Sequence, residues 1–178
     1  MAIALVAGVS GVLVNVPAPR PQLLILALTT VVIWLTNRGS LRAMVDSIPV
    51  RSLVAFHAMR LVGVVFLVLA AQGTLSPLFA ARAGWGDIAA AAGALALVVV
   101  GPPNTKARRV LYLAWSAFAI LDLVVAVGTA SVVAIRGDVP GIEALMAAPL
   151  ILVPMFFVPL LLASHVVIVR RLLRVEVS

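Results

Sequence analysis

Four ionisable side chains stand inside apolar runs. They are His57 and Arg60 in RSLVAFHAMRLVGVVFLVLAAQG (51–73), Asp122 in AWSAFAILDLVVAVGTA (114–130) and His165 at the end of PLILVPMFFVPLLLASH (149–165). A charge in such surroundings needs an opposite charge or a wet cavity. A guanidinium grips a carboxylate through two parallel N–H donors, so a bidentate Arg60–Asp122 pair is the simplest arrangement that tolerates both residues. Such a pair can fix helix register and nothing more, or it can line a cavity for an anion, a proton or a polar headgroup.

His57 precedes Arg60 by three residues, so both project from one helix face. The chain has two histidines. On facing helices they can be the two axial imidazoles of a b-type haem, a proton relay titrating near neutrality, or packed and hydrogen-bonded core residues. Haem b is the one candidate cofactor, and a metal is expected only as its iron.

The elements that must position these groups follow from composition. The chain of 178 residues is 64% hydrophobic and 11% charged, with a mean hydropathy of +1.24. A soluble domain is about half apolar and a quarter charged, so lipid is the expected solvent. Cysteine is absent, which removes disulfides, thiolate metal sites and cysteine nucleophiles together. The net charge of +7 sits in short clusters between apolar runs, as topology signals do, and aromatic residues are too few for a base-stacking platform, so no nucleic-acid partner is expected.

A spanning helix needs about 20 apolar residues. Six runs qualify or nearly so: 2–16, 22–36, 52–72, 87–101, 110–135 and 144–169. The expectation is an all-α polytopic membrane protein, a single transmembrane domain over 1–178 with about six helices in one bundle. The first run lacks the basic segment of a signal peptide and counts as a span. Nine basic residues (Arg38, Arg42, Arg51, Lys106, Arg108, Arg109, Arg170, Arg171, Arg174) then share one face with both termini, against Arg20, Arg82 and Arg136 on the other. The positive-inside rule makes that face cytoplasmic.

Depth follows at about 1.5 Å per residue. Arg60 lies roughly 13 Å beyond Arg51 and Asp122 roughly 20 Å beyond Arg109, within reach of each other. His57 and His165 match at about 8 to 9 Å from the same face. The polar cluster of Arg60, Asp122, His57 and His165 is therefore expected to open toward the cytoplasmic leaflet, with Asp122 the lone carboxylate at depth.

Asp87 heads the fourth run after AGWG (83–86), where a carboxylate can cap free N–H groups or pair with Arg82 as a secondary polar site. Trp115, Asp122 and Thr129 recur every seven residues on one stripe of the fifth run. Pro149, Pro154 and Pro159 punctuate the sixth, each removing one backbone donor. Nucleotide loops, HExxH, GxSxG elbows and a membrane-embedded lysine are all missing, so no enzyme is expected.

The patterns FHAMRLVG, AGWGD, LDL and the Pro-rich run ending in His together resemble a family of small uncharacterised bacterial multi-pass membrane proteins. The resemblance covers roughly residues 50–170 and falls on Phe56, Arg60, Gly86, Asp87, Asp122 and His165, while His57 is not carried over. It implies a bacterial inner-membrane location and no activity. The leading expectation is a membrane component that binds or passes a small ligand, an ion or protons, as a homo-oligomer or with other membrane subunits. Haem-based electron transfer and a purely structural or assembly role remain open.

Overall fold

The computed structural model describes residues 20–174. Among them no strand forms, and the chain is all-α. Helix α1 (Arg20–Thr36) is followed by α2 (Gly39–Ser47), bent from it by 79°. Then come α3 (Val50–Ala71), α4 (Pro77–Val100), α5 (Lys106–Arg136) and α6 (Val153–Arg174). The last four are each long and apolar enough to cross a membrane, and a fifth crossing is added if α1 and α2 act as one. The run expected over 2–16 lies outside the described residues.

Two boundaries differ from those expected, each for a local reason. Helix α4 begins at Pro77, not at Asp87. Ser76 caps it, its Oγ accepting from the Phe79 N–H at 3.4 Å, and Pro77 takes the first turn, where no N–H is needed. The start of α6 retreats to Val153, so the expected segment 144–152 is irregular and contains a 3₁₀ turn at Glu143–Met146. Pro149 falls before the helix, Pro154 sits in its first turn, and Pro159 follows a π-turn (Val153–Phe157), a wide turn that relaxes the backbone pairing a proline disrupts. At the other end of the loop Thr105 caps α5, and Gly137, at φ +67°, ends it in the left-handed region that favours glycine.

The polar side chains gather at one end of the bundle. The Arg51 Nε donates to the Val98 carbonyl at 2.9 Å, joining the start of α3 to the finish of α4. The Arg170 guanidinium on α6 donates to Asn37 and Asp46, and Arg171 donates to the Ile48 carbonyl, locking the α1–α2 bend over the end of α6. This basic end collects the nine cationic positions read from the sequence, and the far end holds Arg20, Arg82 and Arg136. Three apolar clusters fill the interior: one toward the basic end around Tyr112 and Trp115, one toward the far end around Phe66 and Phe79, and one around Ile25, Leu123 and Ile151.

Candidate functional site

Arg60 lies in a stretch of α3, Phe56–Val62, tightened to 3₁₀ geometry, in which residues three apart eclipse. His57 and Arg60 are consequently both buried, and Arg60 is only 1% exposed. Its guanidinium is shared. The Nε donates to Asp87 Oδ1 at 2.7 Å, one terminal nitrogen donates to the Ala119 carbonyl at 3.2 Å, and the other donates to Asp122 Oδ2. The bidentate Arg60–Asp122 pair is therefore corrected to a triad with one arginine between two carboxylates. The expectation that Asp122 is the only deep carboxylate falls with it. Asp87 is also no cap: with α4 starting at Pro77, it stands ten residues inside the helix, buried, while Arg82 is exposed and pairs with neither aspartate among the described residues.

Glycines make the triad possible. A Cβ on Gly63 would lie 2.4 Å from the Gly84 carbonyl oxygen and 2.8 Å from the Asp87 Cβ, so α3 and α4 touch backbone to backbone beside Arg60. A Cβ on Gly86 would lie 1.5 Å from Asp122 Oδ1, so only glycine lets α5 bring that carboxylate in. One heptad on, a Cβ on Gly93 would lie 2.7 Å from Trp115 Cδ1. The stripe Trp115–Asp122 of α5 thus docks on the stripe Gly93–Gly86 of antiparallel α4, and the Trp115 indole N–H donates to the Ala90 carbonyl at 2.9 Å. A π-turn at Ala80–Gly84 adds one residue to a helical turn ahead of Asp87 and helps set which face that carboxylate presents.

His57 and His165 meet on the basic-end side of Arg60, both fully buried, with ring centres 4.2 Å apart, planes at 46° and Trp115 5.0 Å from each. Ser164 donates its hydroxyl proton to the Leu161 carbonyl at 2.8 Å, so it accepts from His57 Nε2–H at 2.8 Å. His165 Nδ1 pairs with Ser116 Oγ at 2.9 Å. The remaining ring nitrogens, His57 Nδ1 and His165 Nε2, are buried without a partner among the described residues. This arrangement does not fit a haem. Iron held by two imidazoles at about 2.0–2.1 Å puts their centres on the order of 6 Å apart on opposite faces of a porphyrin, whereas these rings touch. No group of three or more His, Cys, Asp or Glu residues forms a metal site among the described residues.

On the opposite side of Arg60 the bundle is hollow. A cavity of about 260 Å³ extends from Met59, Arg60 and Asp87 toward the far end, between Phe66, Phe79, Leu123 and Phe157, with Ile142 and Met146 of the α5–α6 connection over it. Gln22 of α1 borders it with a buried Oε1 that has no partner among the described residues. The expected opening toward the basic end is corrected accordingly: that side is closed by the histidine–tryptophan cluster, and the space lies beyond Arg60. Sequence reasoning gave Asp87 the wrong role, named Gly86 only as a position of the resemblance, and missed Gly63, Ser116 and Ser164. The signal for the first was present, since Ser76–Pro77 is a helix-start pattern that places Asp87 at depth.

The fold and site define a class: an all-α protein with at least four long apolar helices and a buried arginine–dicarboxylate triad at the floor of an apolar cavity. Within that class the chain belongs to the family described as Domain of unknown function (DUF8737), which matches residues 11–173. No curated protein and no solved structure matches it.

Proposed function

We propose that the chain is a six-span protein of a bacterial inner membrane, both termini cytoplasmic, that binds or passes a small ligand through the cavity above Arg60 and performs no covalent chemistry. The observation that carries this reading is the cavity itself. Its walls are apolar side chains from α1, α3, α4, α5 and α6, and its ionic groups, Arg60 and Asp87, lie together at the deep end. Small-molecule sites have this makeup: mostly hydrophobic surface with a few placed polar groups that orient the ligand. The orientation rests on the nine-to-three division of basic residues, and the membrane setting on the large apolar side chains exposed along the helices, such as Leu23, Leu26, Val68, Leu121 and Val124. Further copies or other membrane subunits can cover part of that surface.

Ala130→Trp tests the reading, because Ala130 borders the cavity and the indole fills it. Wild-type protein in mild detergent is expected to bind benzyl alcohol by titration calorimetry, and the variant, eluting as the same monodisperse species, is expected to lose that binding. Equal binding by both overturns the cavity as the site.

A further inference from the structure

The charge count of the triad is uneven. Arg60 carries one positive charge and faces two carboxylates, Asp87 and Asp122, so the fully ionised site bears one negative charge in excess. All three guanidinium nitrogens already donate to protein acceptors, which leaves Arg60 committed. Asp87 is different. Its Oδ1 is held by Arg60, its Oδ2 accepts no hydrogen bond among the described residues, and the residue, 6% exposed, borders the cavity. The remaining ionisable groups near the triad are His57 on α3 and His165 on α6, and these lie on the closed side and are engaged with Ser164 and Ser116. The α1 side of the cavity contributes Gln22, which does not titrate. An uncompensated charge inside an apolar bundle is strongly disfavoured, so the excess must be neutralised by a proton or by a cation.

We propose that the cavity binds a lipophilic cation, an organic ammonium with an apolar body, in exchange for one proton released from the Asp87–Asp122 pair. The inference rests on the cavity being a binding site and adds the charge of its ligand. The ammonium sits against Asp87 Oδ2 and its apolar groups lie along Phe66, Phe79 and Phe157. Because the two carboxylates share one arginine, the site accepts a single extra positive charge, proton or ligand, and the two compete. An anion would add to the existing excess and is disfavoured.

Three probes that share a phenyl group separate the possibilities in titration calorimetry on the full chain in mild detergent: benzyltrimethylammonium, benzyl alcohol and benzoate. The quaternary ammonium does not titrate, so any pH dependence of its binding belongs to the protein. Its affinity is expected to rise by up to about tenfold per pH unit while the proton is being displaced, the limit for one linked proton. Repeating the titration in buffers of different ionisation enthalpy is expected to count one proton released. Asp87→Asn and Asp122→Asn are both expected to weaken the ammonium at least about tenfold and to remove its pH dependence. The second variant is the sharper, because it leaves Asp87 at the wall and removes only the excess charge.

Failure of all three probes to bind overturns the cavity reading itself. Binding of benzyl alcohol with no preference for the cation, or cation binding with no proton released by the wild type, overturns the exchange and leaves the cavity standing. Cation binding whose pH dependence vanishes in His57→Gln or His165→Gln and persists in Asp122→Asn assigns the proton to the imidazoles and also overturns it. The wild-type measurements decide the matter even where a variant fails to fold.

Discussion

The two sides of Arg60 are built on opposite principles. Toward the basic end, small residues of α4 (Ala90, Gly93, Ala94) receive the large side chains of α5 (Tyr112, Trp115), whose polar atoms are paired: the Tyr112 hydroxyl reaches the Leu97 and Gly101 carbonyls at 3.2 and 2.9 Å, and the indole reaches Ala90. Toward the far end Phe66, Phe79 and Phe157 line the walls, yet a cavity of about 260 Å³ lies between them. The cause is topological. Helix α6 does not begin until Val153, so residues 137–152 cover that end as turns, and a turn cannot interlock with a helix as another helix does. A densely packed half therefore holds the arginine in place, and a hollow half leaves one of its carboxylates reachable. Rigidity and access come from different parts of the same bundle.

The largest expected effect breaks the boundary between the halves. Arg60→Leu leaves two carboxylates buried with no cation, and removing one partner of a buried ionic network costs about 3–5 kcal/mol. Thermal unfolding in detergent, followed by size exclusion, is expected to show that loss. Arg60→Leu combined with Asp87→Leu and Asp122→Leu is expected to recover most of it, because replacing a whole buried network by apolar groups is often neutral or stabilising. A triple variant no more stable than the single would mean that the triad is itself a stabilising unit and not a site retained for its charge.

The basic half was largely legible in the sequence and the hollow half was not. Arg60 and Asp122 announced each other because charges in apolar runs must find partners, and counting residues from the basic loops set their depths. Trp115 and Asp122 fell on one stripe for the same periodic reason. Asp87 misleads because its local setting, AGWG followed by an acidic residue, imitates a helix start, while the true start, Ser76–Pro77, sits ten residues earlier, between two of the apolar runs. Gly86 stands out only as a position of the resemblance, and its specific task of admitting the Asp122 carboxylate depends on a contact between helices that no local pattern encodes. The cavity was beyond reach altogether, since empty space is set by where α6 begins and by two π-turns, and composition does not determine either.

An intermediate effect sharpens the contrast by making the same kind of change on both sides. Gly93→Val places a branched side chain where even a Cβ comes within 2.7 Å of Trp115, whose ring is pinned by its bond to Ala90. Overpacking of that kind costs about 1–3 kcal/mol. Ala130→Leu adds the same number of carbon atoms at the cavity wall, where space is available, and is expected to change stability by less than about 1 kcal/mol. Comparable losses in the two variants, measured by the same thermal assay, would show that the far half closes up around its cavity and is not hollow in solution.

The smallest expected effect concerns Arg82, the residue that the sequence offers as an alternative partner for Asp87. On the helix it stands five positions before Asp87, exposed at the far end, while Asp87 is turned inward to Arg60. Surface substitutions away from special features stay within about 0.5 kcal/mol, so Arg82→Gln is expected to leave the unfolding temperature essentially unchanged and the affinity for benzyltrimethylammonium within about twofold. The result carries information because the two partners predict different things. If Arg82 neutralised Asp87, its removal would create an uncompensated carboxylate, tighten cation binding and lower stability together. If Arg60 alone serves both aspartates, the exposed arginine is silent in both assays, and the excess negative charge at the cavity floor belongs to the triad.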